Sequence, residues 1–138
     1  MEDLFSVIKK WKPGKLRSEK QFENSLYEYL HKAFPEKQIT KQFGIGRVLA
    51  DLAISDELLI EMKYNLKTTG QFQRLVGQLS GYKKWKGSVL IILCGTTESN
   101  LLKELNECLK ELNKIESTTT IAPIMFSRRI DKYFLIEK

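Results

Sequence analysis

The longest apolar run of the chain is Val89-Leu90-Ile91-Ile92-Leu93-Cys94. It is far shorter than the ~20 residues that a membrane-spanning helix needs. A run of leucine and β-branched residues without polar alternation is typical of a strand buried on both faces in a parallel sheet. The sequence therefore predicts an α/β fold built around this strand.

Hydrophobic periodicity and turn residues predict the remaining elements. Ser18, followed by Gln21, forms a capping box that begins the first helix. Gly44-Ile45-Gly46 is predicted to be a hairpin turn and not a phosphate loop, because no helix follows it. The order α-β-β-β-α-β-α-β-β describes a mixed central sheet flanked by helices. The predicted elements are a short turn over residues 4–8, helices over 18–34, 68–84 and from Ser99 or Asn100, and strands over 38–43, 47–54, 58–63, 88–94, 120–126 and 133–136.

The length of 138 residues is that of a single domain. We divide it into a basic N-terminal segment, residues 1–17, a core, residues 18–94, and a C-terminal helix with two strands, residues 95–138. Two cysteines, Cys94 and Cys108, exclude a disulfide framework. No secretory pattern opens the chain, so the expected compartment is the cytoplasm, and no membrane partner is expected.

The single histidine, His31, excludes histidine-rich metal sites and a conventional Ser/His/Asp relay. Any metal chemistry must therefore use carboxylates and a hard ion such as Mg²⁺ or Mn²⁺. The formal net charge is +6 and the pI is about 9.3, which favours polyanionic partners.

Charged residues interrupt two neighbouring strands that are otherwise apolar. Glu61 and Lys63 alternate with Ile60 and Met62, so both point to one face of the predicted third strand. Asp51 interrupts the preceding strand in the same way, and pairing of the two strands brings the three charges together. Two carboxylates can hold a divalent ion, and the lysine can stabilise charge that builds on phosphorus. The alternative is a solvated strand end carrying an ordinary Glu–Lys pair.

From residue 18 to residue 94 this pattern resembles the PD-(D/E)XK superfamily of restriction-endonuclease-like nucleases, with its α-β-β-β-α-β core. The resemblance implies that Asp51 and Glu61 are metal ligands for Mg²⁺ or Mn²⁺, together with the backbone carbonyl of Met62. It also implies that Lys63 is the catalytic lysine and that Glu23 is the acid of the first helix. The sequence departs from the family pattern at Ala50, where many members have proline.

The second core helix carries Gln78 and Tyr82, four residues apart on one face. They resemble the Gln-x-x-x-Tyr element of the RecB-like branch, which implies that they bind the scissile backbone and support the lysine. The alternative is an amphipathic helix with Tyr82 in the core. Further nucleic-acid contacts are predicted from basic residues of the N-terminal segment and polar residues of this helix, although each group could equally be a solvated surface. These are Lys9, Lys10, Lys12, Lys15 and Arg17, and Gln71, Gln73 and Arg74.

The resemblance implies a metal-dependent nuclease that hydrolyses DNA, and the small basic domain favours a structure-selective, junction-resolvase-like preference. Enzymes of that type commonly act as homodimers, since each active site cuts one strand, and the late strands over 120–126 and 133–136 are the candidate dimer edge. Two alternatives stay open. One is a nucleic-acid-binding module of the same fold without turnover, and the other is an α/β domain in which the charged strand end is accidental.

Overall fold

A computed structural model of the protein describes residues 4–14, 16–113 and 130–136. The helices are α1 (Leu4–Lys9), α2 (Glu19–Ala33), α3 (Thr69–Gly81) and α4 (Ser99–Asn113), and a short 3₁₀ turn (Tyr82–Lys84) follows α3. The strands are β1 (Ile39–Ile45), β2 (Val48–Ile54), β3 (Leu58–Tyr64), β4 (Ser88–Cys94) and β5 (Ile130–Ile136). Within these ranges, none of the helices has the length and apolar character that crossing a membrane requires.

The strands form one mixed sheet in the order β1-β2-β3-β4-β5. Only the β3–β4 pair is parallel, and the other three pairs are antiparallel. The predicted α/β class with a mixed, helix-flanked sheet is confirmed. Every residue of β4 after Ser88 is buried, which explains the unbroken apolar run. The predicted strand over 133–136 lies within β5, whereas the one over 120–126 lies outside the described residues.

Each face of the sheet packs against its own helices. One apolar cluster joins α1 and α2 to the sheet through residues such as Phe22, Leu26 and Ile60. The other joins α3 and α4 to the opposite face through residues such as Leu75 and Leu105. Burial of these two apolar layers is the main stabilising contribution to the fold.

Local signals account for most element boundaries. The Ser18 hydroxyl accepts a hydrogen bond from the Gln21 backbone N–H at 3.1 Å, so α2 begins as predicted. The Gln21 side chain, however, accepts from the backbone of Arg17 at 2.7 Å, one residue before the usual capping-box donor. Thr68 begins α3 with a complete capping box, in which Gln71 supplies the reciprocal side chain.

Three predicted boundaries were wrong. Residues 4–9 form a helix, not a turn, because Leu4, Phe5 and Ile8 are buried on one side of it. Of the three residues predicted to form the hairpin turn, Gly44 and Ile45 belong to β1 and only Gly46 lies in the turn, where its φ is +59°. The helix that was predicted to reach residue 84 ends at Gly81, after which the chain tightens into the 3₁₀ turn.

Gly81 is the point where α3 packs closest to the β1–β2 hairpin. A Cβ atom at this position would lie 2.5 Å and 2.8 Å from the two methyl groups of Val48. At Gly77, in the middle of the same helix, nothing lies within 4 Å of the corresponding position. The absence of a side chain at Gly81 therefore allows the hairpin and the helix to pack together.

Gly81→Ala is expected to lower the free energy of unfolding by about 1–3 kcal/mol, since the stiff side chain of Val48 must be displaced. The matched control Gly77→Ala is expected to raise it by about 0.5–1 kcal/mol, the usual gain of alanine over glycine in a helix. Urea unfolding of both variants measures the difference. Equal stability of the two variants would contradict the packing argument.

Candidate active site

The antiparallel strands β2 and β3 separate at Asp51 and Glu61. Their ladder pairs Ile54 with Leu58 and continues to Leu52 and Ile60, which makes Asp51 and Glu61 the next residues in register. At this point the backbone N–H of Met62 donates to Asp51 Oδ2 at 2.7 Å. A side-chain carboxylate therefore accepts from β3 at the point where the ladder ends.

The carboxylate of Glu61 is enclosed, with only 1% of the residue exposed. Its Oε1 accepts a hydrogen bond of 2.6 Å from the Tyr82 hydroxyl, which also lies 3.1 Å from the carbonyl oxygen of Leu49. Its Oε2 lies 3.3 Å from Lys63 Nζ as an ion pair but accepts no hydrogen bond. One buried carboxylate oxygen thus keeps acceptor capacity beside a half-buried ammonium group.

Burial raises the pKa of both acids, and the charge of Glu61 acts further on Asp51. Burial, then the charge of Glu61, raises the pKa of Asp51 from 3.8 to about 7, against the lowering effect of the Met62 N–H. Burial also raises the pKa of Glu61, whereas Lys63 and the Tyr82 hydroxyl lower it. Burial and the charge of Glu61 raise the pKa of Tyr82, so its hydroxyl keeps its proton and donates. Lys63 therefore offsets only part of the combined charge of the two acids, and a bound cation can offset the rest.

The donor set fits a hard divalent cation. The described residues contain no group of three His, Cys, Asp or Glu side chains that could hold a metal ion. Asp51 and Glu61 would therefore bind the cation as two carboxylate ligands. Mg²⁺ commonly binds through one or two carboxylates and keeps several waters. The unused Oε2 of Glu61 matches this requirement. The Met62 N–H binds Asp51, and the predicted role of the Met62 carbonyl stays a prediction.

Glu23 approaches the same site from α2. Only 4% of this residue is exposed, and its Oε1 accepts a hydrogen bond of 2.8 Å from Gln42 Nε2. Lys20 Nζ lies 3.7 Å from its other oxygen. Its charge contributes to the raised pKa of Asp51, and its predicted role as the acid of the first helix stays a prediction.

Glu19 is a site residue that the sequence reasoning missed. It accepts from the backbone N–H of Tyr64 at 3.3 Å, and its charge contributes to the raised pKa values of Asp51 and Glu61. Its spacing of four residues from Glu23 puts both acids on one face of α2, which is the signal that could have found it. A cavity of about 180 Å³ begins here and is lined by Glu19, Lys63, Tyr64, Leu66, Gln71 and Arg74.

The predicted residues of α3 divide into three groups. Gln71 and Arg74 line the cavity beside Lys63, although the Gln71 side-chain oxygen is also engaged by the backbone N–H groups of Lys67 and Thr68. Gln73 is exposed and is not among the residues that line the cavity. Tyr82 binds Glu61, whereas Gln78 Oε1 is buried and accepts no hydrogen bond.

The basic N-terminal segment runs back along α2 towards the site. The Tyr29 hydroxyl donates to the carbonyl of Val7 at 2.6 Å, and Trp11 Nε1 donates to the Ser25 hydroxyl at 3.1 Å. Val7 therefore lies beside the C-terminal half of α2 and Trp11 beside its middle, so the described part of the segment runs antiparallel to α2, in the direction of Glu19. Lys9, Lys10, Lys12 and Arg17 are exposed along this path, and Lys15 lies outside the described residues.

Comparison of the chain with family models, with curated proteins and with solved structures gives no match.

Asp51→Asn is expected to change how stability depends on pH. The folded protein holds the Asp51 proton more tightly than the unfolded chain, so stability falls as the pH rises from about 4 to about 7. Asparagine does not titrate, so the variant lacks this pH dependence. Its free energy of unfolding should rise by roughly 1–3 kcal/mol relative to the parental protein across that range. Urea unfolding in EDTA at several pH values measures it. Asp56→Asn, in an exposed turn, is the control; the same gain in both variants would contradict the assignment.

Proposed function

We propose that the protein is a Mg²⁺-dependent nuclease that hydrolyses DNA phosphodiester bonds on a restriction-endonuclease-like core. The observation that carries the proposal is the Asp51–Glu61 pair at the separation of β2 and β3, with Lys63 3.3 Å from Glu61 Oε2. Paired buried carboxylates lower stability unless something compensates their charge. Their presence beside an ammonium group supports a role in binding and chemistry.

The element order gives further support. From α2 to β4 the chain follows the α-β-β-β-α-β order that the resemblance implies, and the acids and the lysine occupy β2 and β3. Tyr82, from the proposed Gln-x-x-x-Tyr element, binds Glu61. Glu23 lies on α2, Asp51 on β2, and Glu61 and Lys63 on β3, the elements that the proposed family pattern expects, whereas Tyr82 lies in the 3₁₀ turn after α3.

Each residue has a distinct task in the proposed mechanism. A bound Mg²⁺ would neutralise phosphate charge and make water more acidic. Asp51 and Glu61 would hold the ion, and Tyr82 keeps Glu61 in one orientation by donating to its Oε1. Lys63 would donate to the attacking water or to a non-bridging phosphate oxygen, where negative charge grows in the transition state.

The surrounding charges favour DNA as the substrate. Arg74 and Lys63 line the cavity, and the exposed basic residues of the N-terminal segment follow α2 to the same end of the sheet. Such groups contact phosphates and carry little sequence information, which favours recognition of DNA structure, as in junction resolvases. A homodimer would provide a second site for the opposite strand.

The central test is cleavage of labelled single-stranded, linear duplex, flapped and four-way-junction DNA. Cleavage is expected with Mg²⁺ or Mn²⁺, little cleavage with Ca²⁺, and none in EDTA. Size-exclusion chromatography of the protein bound to DNA measures whether the protein is a dimer. DNA binding with no cleavage under all of these conditions would instead favour a binding module of the same fold.

Lys63→Ala is expected to lower the single-turnover cleavage rate by roughly 10²–10³-fold, because the lysine acts mainly on charge that develops in the transition state. DNA affinity should change little, whereas the melting temperature should fall, because the buried Glu61 carboxylate loses its ion-pair partner. Lys32→Ala, an exposed lysine in the last turn of α2, is the matched control and should cleave at the parental rate. Parental cleavage by Lys63→Ala would remove the lysine from the mechanism.

Neutralising the N-terminal segment is expected to weaken binding and spare chemistry. Replacement of its lysines and arginine by glutamine should flatten the dependence of DNA affinity on salt, by about 0.9 log–log units per lost phosphate contact. The single-turnover rate at saturating protein should stay near the parental value. An unchanged salt dependence would place the DNA elsewhere. The substituted residues are Lys9, Lys10, Lys12, Lys15 and Arg17.

A further inference from the structure

Gln42 has a left-handed backbone inside a strand. Its φ is +51° within β1, a conformation that asparagine, aspartate and glycine adopt far more readily than glutamine. Neighbouring residues on both sides of it pair regularly with β2, Lys41 with Leu52 and Phe43 with Ala50. The strained residue is therefore directly opposite Asp51.

The hairpin changes faces at this point. Leu52 belongs to the apolar cluster on the α2 side of the sheet, and an unbroken strand would direct Ala50 to the same side. Ala50 instead belongs to the cluster on the α3 side, together with its partner Phe43. The kink at Gln42 and Asp51 thus turns the end of the hairpin and sets the direction in which Asp51 leaves β2.

The side chain of Gln42 uses the kink to reach α2. Its Nε2 donates to Glu23 Oε1 at 2.8 Å, and the second oxygen of this buried carboxylate accepts no hydrogen bond. Asparagine would suit the backbone better but is one methylene shorter. The contact with Glu23 therefore offers a physical reason for glutamine at a position whose backbone disfavours it.

We propose that Gln42 is a positioning residue, which occupies the left-handed kink opposite Asp51 and whose amide fixes Glu23 beside Asp51. The proposal rests on the nuclease function above and adds a residue to that site. Residues that orient the groups of an active site typically change activity by about 10–100-fold when they are removed. Gln42 would act through Glu23 and not on the substrate.

The test compares Gln42→Asn with Asn24→Ala. Gln42→Asn keeps an amide and a side chain that tolerates the backbone, but it loses the reach to Glu23. Asn24→Ala removes another bond between β1 and α2, the 2.6 Å contact from Lys41 Nζ, without touching the acids. Gln42→Asn is expected to lower the single-turnover cleavage rate by about tenfold. Its DNA affinity should equal the parental value and its melting temperature should stay close to it, because the relieved backbone offsets the lost hydrogen bond to Glu23. Asn24→Ala should cleave at the parental rate.

A double-mutant cycle with Glu23→Gln separates positioning from a general structural role. If Gln42 acts through Glu23, the double variant Glu23→Gln/Gln42→Asn should cleave no more slowly than Glu23→Gln alone. Gln42→Gly, which removes the strain entirely, should melt no lower than the parental protein and cleave as slowly as Gln42→Asn.

If the parental protein cleaves DNA, three results would overturn the role of Gln42 while leaving the proposed function intact. They are parental cleavage by Gln42→Asn, an equal loss in Asn24→Ala, and rate losses that multiply in the double variant. A parental protein that cleaves no DNA would overturn the proposed function and, with it, the inference.

Discussion

Two acids that repel each other at the separation of β2 and β3 are the constraint to which the surrounding structure responds. Asp51 and Glu61 follow the last ladder pair in register, burial raises the pKa of both, and the charge of Glu61 raises that of Asp51 further. The compensating groups come from three places: the backbone N–H of Met62, the ammonium group of Lys63 and the hydroxyl of Tyr82. Glu61 Oε2 accepts a hydrogen bond from none of these three donors. This buried carboxylate oxygen therefore remains without a hydrogen-bond partner.

Local patterns were sufficient to predict the framework that carries these acids. The uninterrupted run in β4 identified a strand covered on both faces, and the residues of α2 between Ser18 and Phe34 fixed that helix to within one residue. The alternation of Glu61 and Lys63 with apolar neighbours identified their common face, because side-chain direction in a strand depends only on position. In each case the decisive interactions are within one element or between neighbouring strands.

The features that the sequence did not reveal depend on contacts between distant segments. Gln42 lies in an ordinary alternating stretch, and its left-handed backbone becomes understandable only beside Glu23 and Asp51. In the sequence, Glu19 is an ordinary acidic residue in the first turn of a helix. Only the folded structure shows its contact with Tyr64 at the end of β3. The hairpin turn was misjudged for a similar reason: both Gly44 and Gly46 resemble turn residues, but only Gly46 has a positive φ.

The hairpin and α3 are connected through the atoms that orient Glu61. The Tyr82 hydroxyl lies between Glu61 Oε1 and the Leu49 carbonyl, so one group contacts the acid on β3 and the backbone of β2. Close packing of Val48 on Gly81 holds the hairpin against the residue immediately before Tyr82. A shift of the hairpin would therefore change the environment of Asp51 through β2 and that of Glu61 through Tyr82. Because both acids respond to the same displacement, their relative geometry is controlled by the packing of one hairpin on one helix, at a contact between Val48 in Asp51's own strand and Gly81 beside Tyr82.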